Sequence, residues 1–439
     1  MFRPLYTADE MRAAEAGHDV EAMMERAGRA VADAVLAHYP DARRICAVCG
    51  KGANGGDARI ALRFLEQVGR ETRDELDPEA DVIVDGLFGT GFHGKPREEA
   101  AAQIARINAH GGRVVAVDIP SGVDASTGEA PGAAVRAELT VTMHGPKVGV
   151  VVAPGRFLAG EVVVADIGLD DAETVHRLVA EQILAIVPRR GPRDTKYSAG
   201  SVLVVGGSPG MTGAVCLAVE AAFRADAGYV AVATAKEALP VVEARLLEAV
   251  KRPLDDVDDA ARRATALAIG PGLGRGADQQ KLVARLLREL PIPAVVDADA
   301  LFELAPGDWP APRVLTPHAG ELARLLGDES EWVDAHRLEA VRRAAERFGC
   351  VVLLKGADTL VAAPGEGVLV SAAGPPALAT AGTGDVLTGV IGAFLAKGVE
   401  ARFAAAAAAY ACGRAAQLAP QAVGLIASDV VAALPRALA

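Results

Sequence analysis

Arg44-Ile-Cys-Ala-Val-Cys-Gly-Lys-Gly-Ala-Asn-Gly-Gly-Asp57 is an apolar run that breaks into a glycine-rich loop and leads into a helical pattern over 58–67. Strand, glycine loop and helix in that order form the phosphate-binding arrangement of doubly wound α/β sheets. The loop is neither a Walker A motif nor a strict G-x-G-x-x-G, so its neighbours must support it. They do. Asp81-Val-Ile-Val-Asp85 runs into Gly86-Leu-Phe-Gly-Thr-Gly-Phe-His-Gly94, and Arg113-Val-Val-Ala-Val-Asp118 runs into Ile119-Pro-Ser-Gly-Val-Asp124. Three loops after three strand ends predict a ligand crevice at the C-terminal edge of a parallel sheet. Asp85 and Asp118 each end a strand, either as loop caps or as site residues. Stretches 141–147 and 160–166 read as closing strands. Upstream, Thr7 and Glu10 have capping-box spacing, and Met23, Met24, Ala27, Ala30, Val31 and Val35 lie on one helical face.

The run Val187-Pro-Arg-Arg-Gly-Pro-Arg193 reads as a solvated interdomain linker. The pattern then restarts with Gly200-Ser-Val-Leu-Val-Val-Gly-Gly-Ser208 and a helix from Gly213. Strands are expected at 229–233, 266–269, 294–297, 313–315, 351–354 and 359–362, most of them separated by helical patterns. Such alternation means a largely parallel sheet covered on both faces. Near the C-terminus, Gly382, Thr383 and Gly384 form a turn that passes through Asp385 into the apolar helical face Val386, Leu387, Val390, Ile391 and Phe394. An open helix start of this kind suits phosphate. Asp385 is either a helix-start carboxylate or a general base beside the phosphate.

At 439 residues, with 51% apolar and 23% charged composition, the chain has material for two or three cores. A net charge of −12 argues against general binding to nucleic acid or anionic membranes. Five cysteines, an odd number without a framework pattern, fit a reducing compartment. Cys46-Ala-Val-Cys49 has no second pair to complete a zinc site and reads as part of a buried strand. The N-terminus lacks an uninterrupted apolar core for a secretory signal, and the alanine-rich stretch 404–411 is too short to span a bilayer. The reading is a cytoplasmic protein.

Taken together, the chain resembles the bifunctional NAD(P)H-hydrate repair enzymes, in which an epimerase domain precedes an ADP- or ATP-dependent dehydratase. The resemblance is carried by Lys196-Tyr-Ser-Ala-Gly-Ser, Ile269-Gly-Pro-Gly-Leu-Gly274, Val296-Asp-Ala-Asp-Ala-Leu301, Leu315-Thr-Pro-His-Ala-Gly-Glu321, Leu354-Lys-Gly-Ala-Asp-Thr359 and Ala381-Gly-Thr-Gly-Asp385, in the family's order. It implies an N-terminal Rossmann-like three-layer αβα sandwich over 1–188, shortened near 68–80. A C-terminal ribokinase-like αβα domain with a largely parallel sheet would follow over 189–439. It assigns Lys355, Gly356, Ala357, Asp358, Thr359 and Gly384 to the nucleotide phosphates. Ala214, Gly274, His318 and Asp385 would face the hydrated nicotinamide nucleotide, with Asp385 as catalytic base.

In the first domain the resemblance makes Asn54, Asp85 and Ser121 ligands of K⁺. It assigns Ala53, Asn54, Gly55, Gly56, Asp57, Gly89, Thr90, Gly91, Phe92, His93, Gly94, Lys95 and Asp118 to the substrate, with Asp118 as acid/base. The implied partners are NADHX and NADPHX and an adenine nucleotide with Mg²⁺, with no nucleic acid and no membrane; a homo-oligomer is expected. Two departures stand out. Ala53 replaces an asparagine of the family pattern, and only about twenty residues separate Leu65 from Phe88, where the family has a further strand and helix. They leave open a first domain kept for binding or oligomerisation. The Gly-Thr-Gly-Asp turn alone also allows a ribokinase-like kinase acting on a small alcohol.

Overall fold

The computed structural model describes residues 1–170 and 172–439. Contacts divide the chain into two compact units: Pro4–Arg177 with Asp334–Leu338, and Met1–Arg3 with Leu178–Val333 and Glu339–Ala439.

The sheet of the first unit has the order Glu71–Arg73, Arg44–Cys49, Val82–Gly86, Arg113–Val117, Leu139–Met143, Glu161–Ala165, and every pairing is parallel. Parallel strands need cover on both faces, which explains their near-continuous apolar runs. Helices Val20–His38 and Ala53–Gln67 supply Val31, Val35, Leu62 and Leu65 to one core. Helix Glu98–Asn108 supplies Ile104 and Ile107 to the other. Thr7 and Glu10 form the expected capping box.

From Arg44–Cys49 the chain goes outward to Glu71–Arg73 and then back across to Val82–Gly86. Strand order reverses here, at a switch point where open α/β sheets hold ligands. The return, segment 74–81, has no helix, although parallel crossovers usually take a dozen residues or more. Register explains how it can be short. Arg73 pairs with Cys46, and Val82 pairs with Ile45, so the chain need back up by only one residue. Leu76 and Ala80 then pack with Cys46 and Ile83, where a helix would otherwise lie. The chain near 68–80 thus forms a three-residue edge strand, with Leu76 and Ala80 covering part of one face without a helix. Cys46 is buried and Cys49 half-buried, both free. Burial, followed by Asp74, pushes the Cys49 thiol up to about 12, which makes it inert.

The second unit carries the larger sheet. Parallel pairings join Val250–Pro253, Tyr229–Thr234, Ser201–Val205, Ala266–Ile269, Ala294–Val296, Arg313–Leu315 and Val351–Leu354 in that order. Thr359–Ala362 and Leu369–Ser371 follow antiparallel. Phe2–Leu5 and His176–Val179 continue that edge. Strands at Val250–Pro253 and Leu369–Ser371 went unread in the sequence; both are short, at three or four residues.

Val202, Val204, Ala268, Val295 and Leu353 share one core with helices Thr212–Arg224, Thr383–Ala396 and Ala401–Leu418. The alanine-rich stretch is the buried face of the last of these. Helix Thr383–Ala396 is buried almost all round, with Val390, Ile391 and Phe394 fully enclosed. At about 1.5–3 kcal/mol for each large apolar side chain, that burial fixes where its first turn points. Among the described residues, no helix is long and apolar enough to cross a membrane.

Candidate functional site

The start of helix Thr383–Ala396 is shaped by Gly382, whose left-handed φ of 90° would strain any other residue. No side chain caps this end. Asp385 lies in the first turn, as a helix-start carboxylate should, and makes no cap hydrogen bond. The first-turn amides and the helix dipole stay open to an anion. Thr383 secures the turn by donating its hydroxyl to the carbonyls of Leu378 (3.0 Å) and Thr380 (2.9 Å).

Burial pushes the Asp385 carboxyl up to about 7; Asp297 and Asp299 add to the rise and Lys355 opposes it. A carboxyl poised there is suited to take a proton near neutrality. Lys355 leaves the end of strand Val351–Leu354 with its Nζ 2.9 Å from Asp297 Oδ1 and 3.8 Å from Glu321 Oε2. Burial works to lower its pKa, but the two carboxylates outweigh burial and raise it. Lys355 therefore carries a point charge beside the open helix end. A Cβ on Gly384 would stand 3.4 Å from that Nζ and 3.9 Å from Asp297 Oδ2, so glycine keeps this gap clear.

The other residues assigned to nucleotide and substrate also follow strand ends. Gly356 and Ala357 are exposed and Asp358 is buried, while Thr359 closes the turn by donating its hydroxyl to Gly356 O at 3.3 Å. Ala214 sits half-buried in the first turns of Thr212–Arg224. Gly274 donates its amide to Asp299 Oδ2 at 2.9 Å, beside Arg275 Nε on the other oxygen at 2.8 Å.

His318 is more than a loop histidine. It is the N-cap of helix Ala319–Leu326, and its Nδ1 accepts from the amides of Gly320 (3.1 Å) and Glu321 (3.4 Å). With Nδ1 an acceptor, the neutral ring carries its proton on Nε2. That atom lies on an exposed side chain, 3.4 Å from Glu321 Oε1. The capping role and a donor role toward substrate are compatible.

The first unit builds its site at the switch point. Residues 53–57 are not loop, as the sequence suggested, but the first turns of helix Ala53–Gln67; the strand enters helix after Gly52. Asn54 and Asp57 are thereby turned inward while Ala53 faces out. Asp85 Oδ1 accepts the Ser121 hydroxyl at 2.7 Å and Oδ2 the Ser121 amide at 2.8 Å. Ser121 Oγ in turn accepts from Phe88 N at 2.8 Å, and Asn54 Nδ2 donates to Phe88 O at 3.3 Å. The three proposed ion ligands thus meet around Phe88. Asp85 is fully buried, and burial pushes it up to about 6 against the hydrogen bonds from Ser121 and Leu87. Among the described residues no lysine or arginine is paired with it. A buried carboxylate without a paired cation, joined to the Ser121 hydroxyl, is oxygen-donor chemistry that fits a hard monovalent ion; Asn54 turns its amide nitrogen to Phe88 O and Val117 O.

Asp118 takes a left-handed φ of 65° and accepts from Met143 N (2.9 Å), Thr142 Oγ1 (3.1 Å) and the Lys147 ammonium. Lys147 is fully buried and spends its other donors on Thr142 Oγ1 (3.3 Å) and Met143 O (2.7 Å). Asp57 has a buried Oδ1 with no hydrogen-bond partner. Burial, and then the charges of Asp118 and Glu15, push it up to about 7. Residues 89–95 form a half-exposed loop in which Phe92 stacks on Phe88 at 4.8 Å and His93 Nδ1 lies 2.9 Å from Asp124 Oδ2.

Sequence reasoning missed Asp297, Thr388, Glu321 and Lys147 as members of these clusters. Asp297 and Glu321 stood inside quoted motifs without a role. Lys147, one charge in the apolar stretch Pro146-Lys-Val-Gly-Val-Val-Val152, was the readable signal for a buried ion pair.

Comparison with known proteins gives the family. Residues 202–436 match the family model described as NAD(P)H-hydrate dehydratase. Residues 20–73 and 66–149 match that of the YjeF-related protein N-terminus, in two pieces that meet at the shortened crossover. A bifunctional NAD(P)H-hydrate repair enzyme of Moorella thermoacetica is 37% identical, over 95% of this chain and 92% of its own length. The Escherichia coli counterpart is 34% identical, over 98% and 93%. Among solved structures, an ADP/ATP-dependent NAD(P)H-hydrate dehydratase from Bacillus subtilis, co-crystallised with ATP and Mg²⁺, is 31% identical with a TM-score of 0.55. It covers 59% of this chain and 96% of its own. A ribokinase-like superfamily protein from Enterococcus faecalis, 24% identical with a TM-score of 0.54 over 61% of this chain and 97% of its own, shows the same fold. The chain belongs to the family of bifunctional NAD(P)H-hydrate repair enzymes.

Proposed function

We propose that the second unit dehydrates the S-form of NADHX or NADPHX at Asp385, using ADP or ATP with Mg²⁺, and that the first unit interconverts the R and S hydrates at Asp118 with K⁺ bound. The observation that carries the dehydratase assignment is the uncapped first turn of Thr383–Ala396. It places an acid raised to about 7 beside the Lys355 ammonium.

Hydroxide is a poor leaving group and phosphate a good one. Asp385 takes the proton from the hydrate's hydroxyl, whose oxygen bonds to the terminal phosphorus as the nucleotide leaves. Lys355 and the open amides of the first turn hold the phosphoryl oxygens, so catalysis here is mostly positioning and charge stabilisation. The ring nitrogen's electron pair then expels phosphate, the neighbouring carbon loses a proton, and the reduced ring is restored. Among the described residues, no three His, Cys, Asp or Glu side chains form a group that could hold a metal. Mg²⁺ held by the nucleotide phosphates would screen their charge.

In the first unit, Asn54, Asp85 and Ser121 would hold K⁺, which supplies charge for the substrate's anionic groups. Asp118, oriented by Lys147 and Thr142, takes the hydrate's hydroxyl proton as the carbon–nitrogen bond to that carbon breaks, leaving a carbonyl and placing the bond pair on the ring nitrogen. The nitrogen then re-adds to the other face of the carbonyl and Asp118 returns the proton to the oxygen. We place both activities in the cytoplasm, and we expect a homo-oligomer.

The test uses the intact chain with S-hydrate, ADP or ATP and Mg²⁺, following recovery of the dihydronicotinamide absorbance. Recovery that requires nucleotide is expected. Phosphorylation of a vitamin-type alcohol without any recovery would overturn the assignment. Supplying R-hydrate, with spontaneous epimerisation subtracted, tests the first unit; no acceleration would mean that it only binds.

A further inference from the structure

Asp297 directly follows strand Ala294–Val296 and is 1% exposed. Its two oxygens serve two different elements. Oδ1 lies 2.9 Å from Lys355 Nζ, and Oδ2 accepts the Thr388 hydroxyl at 2.8 Å. Thr388 is fully buried on the helix that carries Asp385, one turn further along. One carboxylate therefore ties the lysine to the helix whose first turn has no side-chain cap.

We propose that Asp297 is a positioning residue for the dehydratase reaction: its carboxylate holds the Lys355 ammonium against the start of helix Thr383–Ala396 and keeps a fixed negative charge behind Asp385. This rests on the dehydratase reading of the site. Four carboxylates and two cations share the cluster, and their partners differ. Asp299 is occupied by Gly274 N and Arg275 Nε. Glu321 is held by the amide of His318 at 3.0 Å, lies against the His318 ring, and stands 3.8 Å from Lys355 Nζ. Of the four, only Asp297 both touches Lys355 at hydrogen-bond distance and bonds to the Asp385 helix. After burial, its charge is the largest influence raising Asp385. The lysine's attraction to Asp297 thus competes with its attraction to Asp385, and Asp385 stays protonatable near neutrality.

Asp297→Asn separates charge from shape. The amide can keep its oxygen on Lys355 and donate to Thr388, whose hydroxyl can rotate to accept. The variant is then expected to stay folded while losing the charge. Its acid limb of kcat/KM for the S-hydrate should move to lower pH by roughly one unit, the scale of one neighbouring charge. Its nucleotide KM should rise on the order of tenfold, because Lys355 loses its ionic anchor. Asp297→Glu restores the charge at the wrong reach, so the limb should return toward wild type while nucleotide KM stays raised.

An unmoved acid limb in Asp297→Asn, whatever the rate, overturns the proposal, since a merely structural role lowers activity without moving a pKa. If Asp297→Asn does not fold, Asp297→Glu and Thr388→Val decide. Each should raise nucleotide KM several-fold, and an unchanged KM in both overturns it. Failure of the wild-type chain to recover NADH with nucleotide would instead refute the dehydratase reading.

Discussion

Each unit contains the same small device: a buried aspartate paired with a lysine, beside a second aspartate pushed up to about 7. In the second unit the pair is Asp297 and Lys355 with Asp385 alongside; in the first it is Asp118 and Lys147 with Asp57 alongside. They differ in what the lysine can reach. Lys355 keeps 22% of its side chain exposed and faces an uncapped helix end, whereas Lys147 has none exposed and bonds to Thr142 and Met143 as well as Asp118. A lysine at an open rim can handle a ligand, but one sealed behind its partner can only hold that partner. The first arrangement suits phosphoryl transfer. The second holds Asp118 in place, the orientation a proposed acid/base residue needs, without offering a cation to a ligand.

The largest effects should come from removing the proposed proton acceptors one unit at a time. Asp385→Asn should lower the dehydration rate by about 10²–10⁴-fold, the usual worth of a general base, while nucleotide affinity stays within a few-fold. Asp118→Asn should lower R-to-S epimerisation on the same scale and leave dehydration of pure S-hydrate untouched. Rates on the two separated epimers check both. Near-wild-type turnover in either variant removes that residue from its role.

The lysines should separate stability from catalysis. Lys147→Met leaves Asp118 buried without its cation, a change that typically costs about 3–5 kcal/mol, seen as a lower urea midpoint. Lys355→Met should cost less stability, because Thr388 still donates to Asp297 at a partly open site, but it should raise nucleotide KM strongly. If the two variants lost equal stability and equal activity, the contrast between a closed and an open pair would fail.

Much of this was legible before any coordinates. Strand–glycine loop–helix order pointed to the parallel sheets, and motif order named several of the residues that gather at the start of helix Thr383–Ala396, because glycine turns and strand-end acids are local features. The parts that stayed hidden depend on register and burial. That segment 74–81 could cross without a helix follows from Arg73 and Val82 pairing with adjacent residues of one strand, and no local pattern encodes that. Asp297 was visible as a letter in its motif. Its role needed Thr388, ninety-one positions away in sequence, to arrive on a neighbouring helix. The helical start at Ala53 was missed because Asn-Gly-Gly reads as a turn, yet the packing of Ala58, Leu62 and Leu65 extends the helix backward through it.

A pH profile should refine the comparison further. As the proposed base, Asp385 must be ionised to act, and burial pushes its carboxyl up to about 7, above the usual carboxylate range. For the free enzyme, kcat/KM for dehydration should therefore rise with pH up to about 7 and fall close to tenfold per unit below it. Epimerisation is the counterpart: if Asp57 must be ionised, its acid limb also lies near 7, and Asp57→Asn should abolish that limb. A dehydration limb near pH 4 would mean that Asp385 has ordinary carboxylate acidity in the working enzyme.

The smallest effect concerns Ala53, the residue that opens helix Ala53–Gln67. Ala53 is exposed at the first position of its helix, on the outer side of the turn whose inner side presents Asn54 and Asp57. No buried contact depends on it, so Ala53→Asn should change stability by less than about 0.5 kcal/mol. The new amide would stand at a helix N-terminus that has no side-chain cap, where it can add one hydrogen bond to an anionic ligand arriving at that end. A single neutral hydrogen bond contributes about 0.5–1.5 kcal/mol, so the expected gain is a few-fold in kcat/KM for epimerisation, read on R-hydrate with dehydration in excess. A larger gain would mean that the alanine is a real lesion and that the first unit works below its capacity. No gain would mean that the inward face alone, with Asp118 and its sealed lysine, sets the rate.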